Sequence, residues 1–386
     1  MKAILISLAL SASAAVACSG SPEPGGSTSR FDLRALSYNA GLAPDFEPFT
    51  GERKAQIETA LASLGTQLDL LCVQEYWIGS DFDALASKLA DHLPHRLRQE
   101  PKPGSGSCNE HDLKELGGCL AESCPGHSGV ELVACAQTEC EAAIQNVDGG
   151  CLGCFLDHLE DQLFTRCIGN TPSDPALFGG AFDVGLLSRY PISRTRALEY
   201  DAYLVRASAL YAELEVPGLG PVDTFCTHLG SSLGVIPYHG PHGSWEGEHA
   251  YQVEQLLSFI VQQANGKNPV LVLGDLNMGP DSAGPPALSG ELPLDYQLMI
   301  DSGLVDAVST PFCTACSDNT LRGSGARDLF IDHALLRGFE AQVTADRQLQ
   351  QTFRLETPQG STAMNLSDHY ALRVELRNQS PDESGE

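Results

Sequence analysis

The stretch "LVLGDLNMG", Leu271–Gly279, places two polar side chains directly after a run of apolar residues. The preceding run, Val270–Leu273, has the length and composition of a buried strand. Asp275 and Asn277 then stand two residues apart, so an extended backbone turns both toward the same side. An Asx turn is one explanation, because Asp and Asn commonly bond their own backbone where strands end. A catalytic edge is the other explanation, and the rest of the sequence has to decide between them.

Five other segments of the chain also carry a polar or charged residue where an apolar run ends. They are "FDLRALSYN", "LDLLCVQEYW", "GPVDTFCTHLG", "LFIDHALLRG" and "SDHYAL", and they carry Asn39, Glu75, His228, Asp332 and the pair Asp368–His369. His333 follows Asp332 directly and should point to the opposite face of its strand, as a structural residue. Amphipathic segments such as "GERKAQIETALASL" and "HAYQVEQLLSFIVQQA" alternate with these strands. That alternation predicts a layered α/β sandwich, with its functional groups gathered where strands end.

This set of motifs resembles the exonuclease–endonuclease–phosphatase superfamily. That superfamily includes DNase I, abasic-site endonucleases, inositol polyphosphate 5-phosphatases and bacterial sphingomyelinases. The motifs "SYNAG", "VQEYW", "GLLSRYPI", "CTHLG", "GDLN", "FIDHALL" and "SDHYAL" occur in the family's order. The resemblance covers Phe31–Arg377, apart from a cysteine-rich segment. It implies a four-layered, DNase I-like α/β sandwich and a metal-dependent phosphodiesterase domain over residues 31–377.

The implied reaction explains why these residue types are present. A phosphodiester repels hydroxide, so its hydrolysis needs a cation and a base that delivers water. By resemblance, Glu75 binds Mg²⁺ together with Asn39 and Asp368. A site of one or two carboxylates is enough for Mg²⁺, which keeps several waters. Mn²⁺ and a second divalent ion are alternatives.

The remaining residues of the set take roles in proton transfer and phosphate binding. His369 is implied as the general base, with Asp332 orienting its ring. Asp275 and Asn277 would position the nucleophile or a phosphoryl oxygen. His228 would donate a hydrogen bond to the phosphate. Arg206, in "YLVRASALYAEL", is a weaker candidate for a phosphate contact, and an ordinary surface arginine is the alternative.

The N-terminus reads as an export signal of the lipoprotein type. Residues 1–17 combine Lys2, a short apolar core and small residues before a cleavage site. The motif "AVAC" ends at Cys18, which would carry a lipid anchor that holds the protein at a membrane surface. Ala15 stands where a lipobox usually has leucine, and a plain secretory signal is the alternative. Residues 18–30 read as a flexible tether and residues 378–386 as an acidic tail.

Cysteine usage agrees with export. Apart from Cys18 there are twelve cysteines, and eight of them lie between Cys108 and Cys167. Residues 104–175 therefore read as an insertion of short helices held together by disulfides, as an oxidising compartment allows. Zinc is the alternative, because "CLGC" has the spacing of zinc ligands.

The net charge and a motif downstream of "GDLN" bear on the substrate class. The formal net charge of −27 argues against a broad nucleic-acid surface. Tyr296–Met299, downstream of "GDLN", resembles the bacterial sphingomyelinase branch and favours a phospholipid headgroup phosphodiesterase. A secreted nuclease, a phosphomonoesterase and a non-catalytic binding protein are the alternatives.

The loop "SSLGVIPYHGPHGSWEG" bears on the same question. Its Ile236, Tyr238 and Trp245 would suit contact with a membrane if they are exposed. Packing against the cysteine-rich insertion is the alternative. The chain is expected to be a monomer.

Overall fold

The computed structural model describes residues 31–378, except 45, 103–107, 128, 148, 158–166, 168–181, 234–235, 265, 286, 324 and 358–359. The predicted signal peptide with Cys18, the tether and all but the first residue of the tail lie outside the described residues. So do residues 104–107 and 171–175, at the two ends of the predicted insertion. Within the described part, no helix combines the length and the apolar character needed to cross a bilayer.

The first sheet has six strands in the order β11-β14-β1-β2-β4-β3. Their bounds are β1 Asp32–Asn39, β2 Leu70–Gln74, β3 His95–Arg98, β4 Gly185–Ser188, β11 Gln342–Gln348 and β14 Ala371–Arg377. β1 and β2 run parallel, joined by helix α1 (Thr50–Leu64), and helix α2 (Gly79–Leu89) follows β2. The helix predicted for "GERKAQIETALASL" is thus confirmed as α1.

The second sheet also has six strands, in the order β5-β6-β7-β8-β10-β9. Their bounds are β5 Ile192–Glu199, β6 Ser208–Val216, β7 Gly220–His228, β8 Val270–Asp275, β9 Val305–Asp306 and β10 Asp332–Arg337. Helix α8 (Trp245–Gln263) joins the parallel strands β7 and β8, and α9 (Pro293–Asp301) follows β8. A separate hairpin pairs β12 (Thr352–Thr357) with β13 (Gly360–Asn365).

Four layers result from how these elements bury their apolar faces. The central core lies between the two sheets, where Leu33 and Cys72 of the first sheet share a cluster with Leu210 and Leu271 of the second. A second cluster places α1 and α2 against the outer face of the first sheet. A third places α8 and α9 against the outer face of the second. The predicted four-layered DNase I-like sandwich is confirmed.

Strand register brings the polar strand ends together. In the second sheet, Asp275 lies beside both His228 on β7 and Asp332 on β10. Gly274 permits this close approach, because a Cβ there would lie 2.0 Å from the carbonyl oxygen of Thr227. Three residues far apart in the chain therefore share one edge of the sheet.

The described residues of the cysteine-rich insertion are mostly helical, as predicted. It contains α3 (Glu110–Asp112), a π-helical turn (Leu113–Gly117), α4 (Gly118–Ser123), α5 (Gly129–Glu139), α6 (Glu141–Asn146) and α7 (Gly149–Asp157). All eight cysteines form disulfides: Cys108–Cys151, Cys119–Cys140, Cys124–Cys135 and Cys154–Cys167. The disulfide interpretation is confirmed over the zinc alternative, since every thiolate that could bind zinc is paired.

Two further disulfides lie in the sandwich itself, where the sequence patterns gave no pairing. Cys72 on β2 is bonded to Cys226 on β7, so this disulfide joins the two sheets through the central core. Cys313 and Cys316 close a short loop. Each cysteine of the first pair lies two or three residues before a candidate site residue, Glu75 or His228.

The expectation that the 231–247 loop exposes its apolar side chains to a membrane is wrong. Ile236 is 7% exposed and belongs to the core of the insertion, and Trp245 packs against the same cluster. The ring of Tyr238 lies 5.0 Å from that of Trp245, edge to face. The insertion covers this loop because its own short helices cannot bury their apolar faces without a partner surface.

We predict that all twelve cysteines from Cys72 to Cys316 are oxidised in protein produced in an oxidising compartment. Disulfides restrict the unfolded chain by closing loops in it. Reduction should therefore lower the free energy of unfolding by roughly 2–4 kcal/mol for a typical disulfide. Intact mass spectrometry after alkylation without reduction should find no alkylated thiol among them and no zinc. Free thiols in the segment, or stoichiometric zinc lost together with structure, would contradict the pairing.

Candidate active site

Asp275 ends β8, and Asn277 lies in the turn that follows, where its backbone is strained. Asn277 has a φ of 47°, in the left-handed region. Its backbone N–H donates to Asp275 Oδ1 at 2.9 Å, which is the Asx turn expected as the simpler explanation. The other oxygen of Asp275, Oδ2, accepts from Asn39 Nδ2 of the opposite sheet at 3.0 Å. The turn is therefore both an Asx turn and part of a polar site.

His369 and Asp332 form a buried pair beside Asp275. The distance from His369 Nδ1 to Asp332 Oδ2 is 2.7 Å, and His369 Nε2 lies 3.8 Å from Asp275 Oδ2. Burial alone would lower the pKa of His369. The carboxylates of Asp332, Asp368 and Asp275 outweigh burial and raise that pKa well above its usual value.

His228 is held by Asp183, a residue that the sequence analysis did not single out. His228 Nδ1 bonds Asp183 Oδ2, and the same oxygen accepts from the backbone N–H of Glu75 at 3.1 Å. Burial tends to lower the pKa of His228, but Asp183 outweighs it and raises the pKa to about 10. Asp183 lies two residues before the "GLLSRYPI" motif and does not end an apolar run, so the strand-end pattern gave no signal for it.

Glu75, Asn39 and Asp368 stand at the ends of β2 and β1 and just before β14. Asn39 Nδ2 donates to Glu75 Oε1 at 2.9 Å, while Asn39 Oδ1 accepts from Gly41 N–H at the same distance. Glu75 has a φ of 59°. Asp368 Oδ2 lies 3.9 Å from His369 Nε2. A side chain at Gly41 would meet Asp368, because its Cβ would lie 2.7 Å from Oδ1.

The site holds more carboxylates than its histidines can neutralise. Burial raises the pKa of Glu75 to about 7, which His228 opposes and Asp368 reinforces. Glu47, which the sequence analysis missed, has a pKa raised to about 8 by burial, by Asp368 and by Glu75. Hard oxygen donors in excess are the donor set that Mg²⁺ prefers. The residues thus fit a divalent cation.

One group within the site also has the close spacing of metal ligands. Asp275, Asp332 and His369 each offer a ligand atom, and these atoms lie within 4.8 Å of one another. The set expected from the sequence was instead Asn39, Glu75 and Asp368. The two groups adjoin each other through the contacts of Asn39 with Asp275 and of Asp368 with His369.

Two further histidine–aspartate pairs hold the backbone on either side of Asn277. His249 lies 2.9 Å from the carbonyl oxygen of Leu276 through Nε2 and 2.7 Å from Asp295 Oδ2 through Nδ1. His333 makes the equivalent contacts with Met278 O and Asp306 Oδ2, both at 2.7 Å. His333 thus points away from Asp332, which confirms its structural role. The pairs clamp the turn that carries Asp275 and Asn277.

A cavity of about 590 Å³ opens above these groups. Its lining includes six of the predicted site residues: Glu75, His228, Asp275, Asn277, Asp368 and His369. Asn39 bonds Glu75 and Asp275 of this set, and Asp332 bonds His369. Arg206 also lines the cavity, but it is paired with Glu199 at 3.1 Å. Arg322 and Arg327 line it as well and were missed, because isolated arginines in a loop have no periodic signal.

Comparison with known proteins agrees with this architecture. The model of the Endonuclease/Exonuclease/phosphatase family matches residues 36–369, and the chain belongs to this family. Comparison with curated protein sequences found no significant match. The family resemblance expected from the motifs is therefore confirmed. The family is one of phosphoester-hydrolysing enzymes, and the chain is a phosphoesterase-type hydrolase.

Three solved structures show the same fold at low sequence identity. Sphingomyelinase C from Streptomyces griseocarneus is 17% identical, with a TM-score of 0.53, and the match covers 90% of this chain and 99% of that one. SmcL is 13% identical, with a TM-score of 0.55 and the same coverage. A variant of beta toxin from Staphylococcus aureus, with bound magnesium ions, is 14% identical, with a TM-score of 0.52 over 89% and 99% of the two chains.

We predict that His333→Ala loosens the turn that carries Asp275 and Asn277. The change leaves Met278 O and Asp306 without a buried partner, which should lower the free energy of unfolding by about 1–3 kcal/mol or more. Phosphoester hydrolysis should fall further than the folded fraction does, measured by denaturation and by turnover at a temperature where the variant is folded. His111→Ala, whose side chain is 73% exposed, is the control. A destabilised variant with full turnover would show that the clamp serves stability alone.

Proposed function

We propose that this protein is an exported, Mg²⁺-dependent phosphodiesterase that hydrolyses phospholipid headgroups, as a sphingomyelinase does. The observation that carries the proposal is the single cavity that joins the polar site to an apolar wall. Phe46, Trp77 and Trp245 line the same space as Glu75 and His369. A phospholipid headgroup carries a phosphodiester and an organic substituent, so it matches a cavity that has both a polar site and an apolar wall.

Glu75 and Asp368 are the residues that would hold the metal ion, with Asn39 holding Glu75 in place. Beta toxin, which shares the fold, binds magnesium, and this supports the same choice here. A divalent cation supplies positive charge to the phosphoryl oxygens and to water, and offsets the carboxylates that raise the pKa of His369. Mn²⁺ and a second ion near Asp275 remain part of the proposal.

His369 accepts the proton of the attacking water through Nε2, which faces Asp275 and Asp368. Asp332 holds Nδ1, so the ring keeps the tautomer that leaves Nε2 free to accept. The buried pair also restricts rotation of the ring. This division of roles is the ordinary one for a histidine base and its orienting carboxylate.

His228 and Asn277 bind the phosphoryl oxygens in this scheme. His228, whose pKa is raised by Asp183, would donate from Nε2 as charge builds on the phosphate. Asn277 Nδ2 lies 3.2 Å from that nitrogen, so the two side chains face the same part of the cavity. Asp275 orients water from between the two histidines. Arg206 is a secondary contact, because it would have to share its charge with Glu199.

The cavity favours a small or lipid phosphodiester over nucleic acid. Helix α5 of the insertion lines it together with Phe46, Val205 and Leu233, so the site is walled rather than an open groove. A duplex would need a positive surface along its backbone, and the chain has a net charge of −27. Nuclease and phosphomonoesterase activities are therefore the outcomes that would count against the proposal.

Export is supported by the six disulfides, which form and persist in oxidising compartments. A lipid at Cys18 would keep the enzyme beside its substrate at a membrane surface. We further propose that the protein acts as a monomer.

Three substrates distinguish the candidate functions. Purified protein is incubated with sphingomyelin vesicles, linear DNA and an inositol phosphate, each with Mg²⁺ and with EDTA. The expected result is Mg²⁺-dependent release of phosphocholine, with the DNA left intact. Faster cleavage of DNA, or release of inorganic phosphate from the inositol phosphate alone, would overturn the choice of substrate.

We predict that Glu75→Gln abolishes metal-dependent turnover while the fold is kept. The change removes a ligand charge and little volume, so calorimetry with Mg²⁺ should also show weaker binding. Glu52→Gln, at an exposed position of α1, is the matched control. Near-normal Mg²⁺-dependent turnover in the Glu75 variant would refute the metal assignment.

We predict that His369→Ala lowers the turnover rate by about 10²–10⁴-fold, the usual loss for a general base. Asp332→Asn should lower it by a smaller factor, because the ring remains but its tautomer is no longer held. Steady-state rates with a soluble phosphodiester and saturating Mg²⁺ test both. An unchanged rate in the His369 variant would place the base elsewhere.

A further inference from the structure

Helix α5 of the insertion has two faces with different partners. Leu132, Ala136 and Cys140 are spaced one turn apart and are buried in the core of the insertion. Val133 and Gln137, each one residue further along, line the catalytic cavity. Residues four apart share one side of a helix, so one helix both closes the insertion and faces the substrate space.

The surface under this helix is aromatic. Trp245 lines the cavity, and its indole N–H donates to Ile236 O at 2.8 Å, which holds the ring in place. The rings of Tyr203 and Tyr238 lie 5.9 and 5.0 Å from it. Trp77 and Phe46 line the same cavity and pack together in a small cluster. Three aromatic side chains, Phe46, Trp77 and Trp245, therefore line the cavity, and Tyr203 and Tyr238 pack against Trp245.

A carboxylate lies within this aromatic surface. Glu248 is 4% exposed and lines the cavity. Its Oε2 accepts from Tyr203 N–H at 2.8 Å and from Tyr238 O–H at 3.1 Å. Burial raises its pKa, and the bonds from Tyr203 and Tyr238 oppose that rise. No lysine or arginine of the described ranges forms an ion pair with it, and its charge is stabilised by these hydrogen bonds and by nearby His242.

Ring faces beside a buried carboxylate are the surroundings that an organic ammonium group prefers. The rings attract the cation through their quadrupoles, and the carboxylate adds its charge. An apolar substituent would gain from the rings but would leave Glu248 buried without a counter-charge. An anionic substituent would be repelled. A compact cation is the occupant that satisfies both features.

We infer that the cysteine-rich insertion is a specificity element of the active site. Helix α5, Trp245 and Glu248 together form a subsite for a compact organic ammonium group linked to the scissile phosphate. The inference rests on the proposed phosphodiesterase function. The insertion thus selects the substituent, while the residues at the strand ends carry out hydrolysis.

Two chromogenic probes of equal shape test this subsite. One is the 4-nitrophenyl ester of phosphocholine, and the other replaces its nitrogen with carbon, as 4-nitrophenyl 3,3-dimethylbutyl phosphate. Cation–π attraction and the carboxylate should give the charged ester a kcat/KM about 3- to 30-fold higher than that of its isostere. Bis(4-nitrophenyl) phosphate, assayed alongside with Mg²⁺, reports phosphodiesterase activity without a cation.

Variants assign the preference to the subsite. Glu248→Gln should bring the ratio of the two kcat/KM values close to one, whereas Glu254→Gln, exposed on the same helix, should leave the ratio as in the wild type. Gln137→Trp should raise KM for both shaped probes, because it narrows the cavity from the insertion side without disturbing the hydrogen bonds of Glu248. Circular dichroism checks that each variant is folded.

The outcomes separate the two proposals. If bis(4-nitrophenyl) phosphate is not hydrolysed with Mg²⁺, the phosphodiesterase function itself fails. If it is hydrolysed but the wild type treats the charged ester and its isostere alike, the ammonium subsite is wrong and the phosphodiesterase function stands. A preference that survives Glu248→Gln would overturn the role of Glu248, and an unchanged KM for both shaped probes in the Gln137→Trp variant would overturn the role of the insertion.

Discussion

The hydrogen bond from Asn39 to Asp275 is the interaction on which the site depends. Asn39 ends a strand of the first sheet and Asp275 ends a strand of the second, so this contact fixes how the two sheets meet at their polar edge. Asp275 also lies between the two histidines. The disulfide between Cys72 and Cys226 joins the same two sheets within the core. A shift of one sheet against the other would separate Glu75 and Asn39 from His228 and Asp275.

Each histidine of the site region is oriented by a carboxylate, and this pattern explains much of the chain's acidity near the cavity. Asp332 and Asp183 serve the two histidines that face the cavity, while Asp295 and Asp306 serve those behind the turn. The four pairs differ in what the other ring nitrogen meets. In His249 and His333, behind the turn, that nitrogen contacts a backbone carbonyl, so these rings hold the backbone of the turn in place. In front it faces the cavity, so those rings are free for chemistry.

Most of the candidate site was predictable because its residues stand at the ends of apolar strands, a pattern visible in the sequence. Glu75, His228 and Asp275 stand where such strands end, and His369 stands just before β14. The residues that were missed lack such a pattern. Glu47 lies in a loop, and Asp183 gains its role only from contact with His228 and the backbone of Glu75. The misjudged aromatic loop had the composition of an exposed surface, but composition does not reveal which surface the insertion covers.

The sequence by itself determined the layered α/β fold, the family, the helical cysteine-rich insertion and the edge at which the functional groups lie. Strand and helix periodicity and the order of short motifs are local properties, so they can be read along the chain. Only the tertiary structure decided the six disulfide pairings, the carboxylate partner of each histidine and the position of α5 over the cavity. Those features depend on which distant segments meet, and that is set by sheet register and by the burial of apolar faces that no single segment can bury alone.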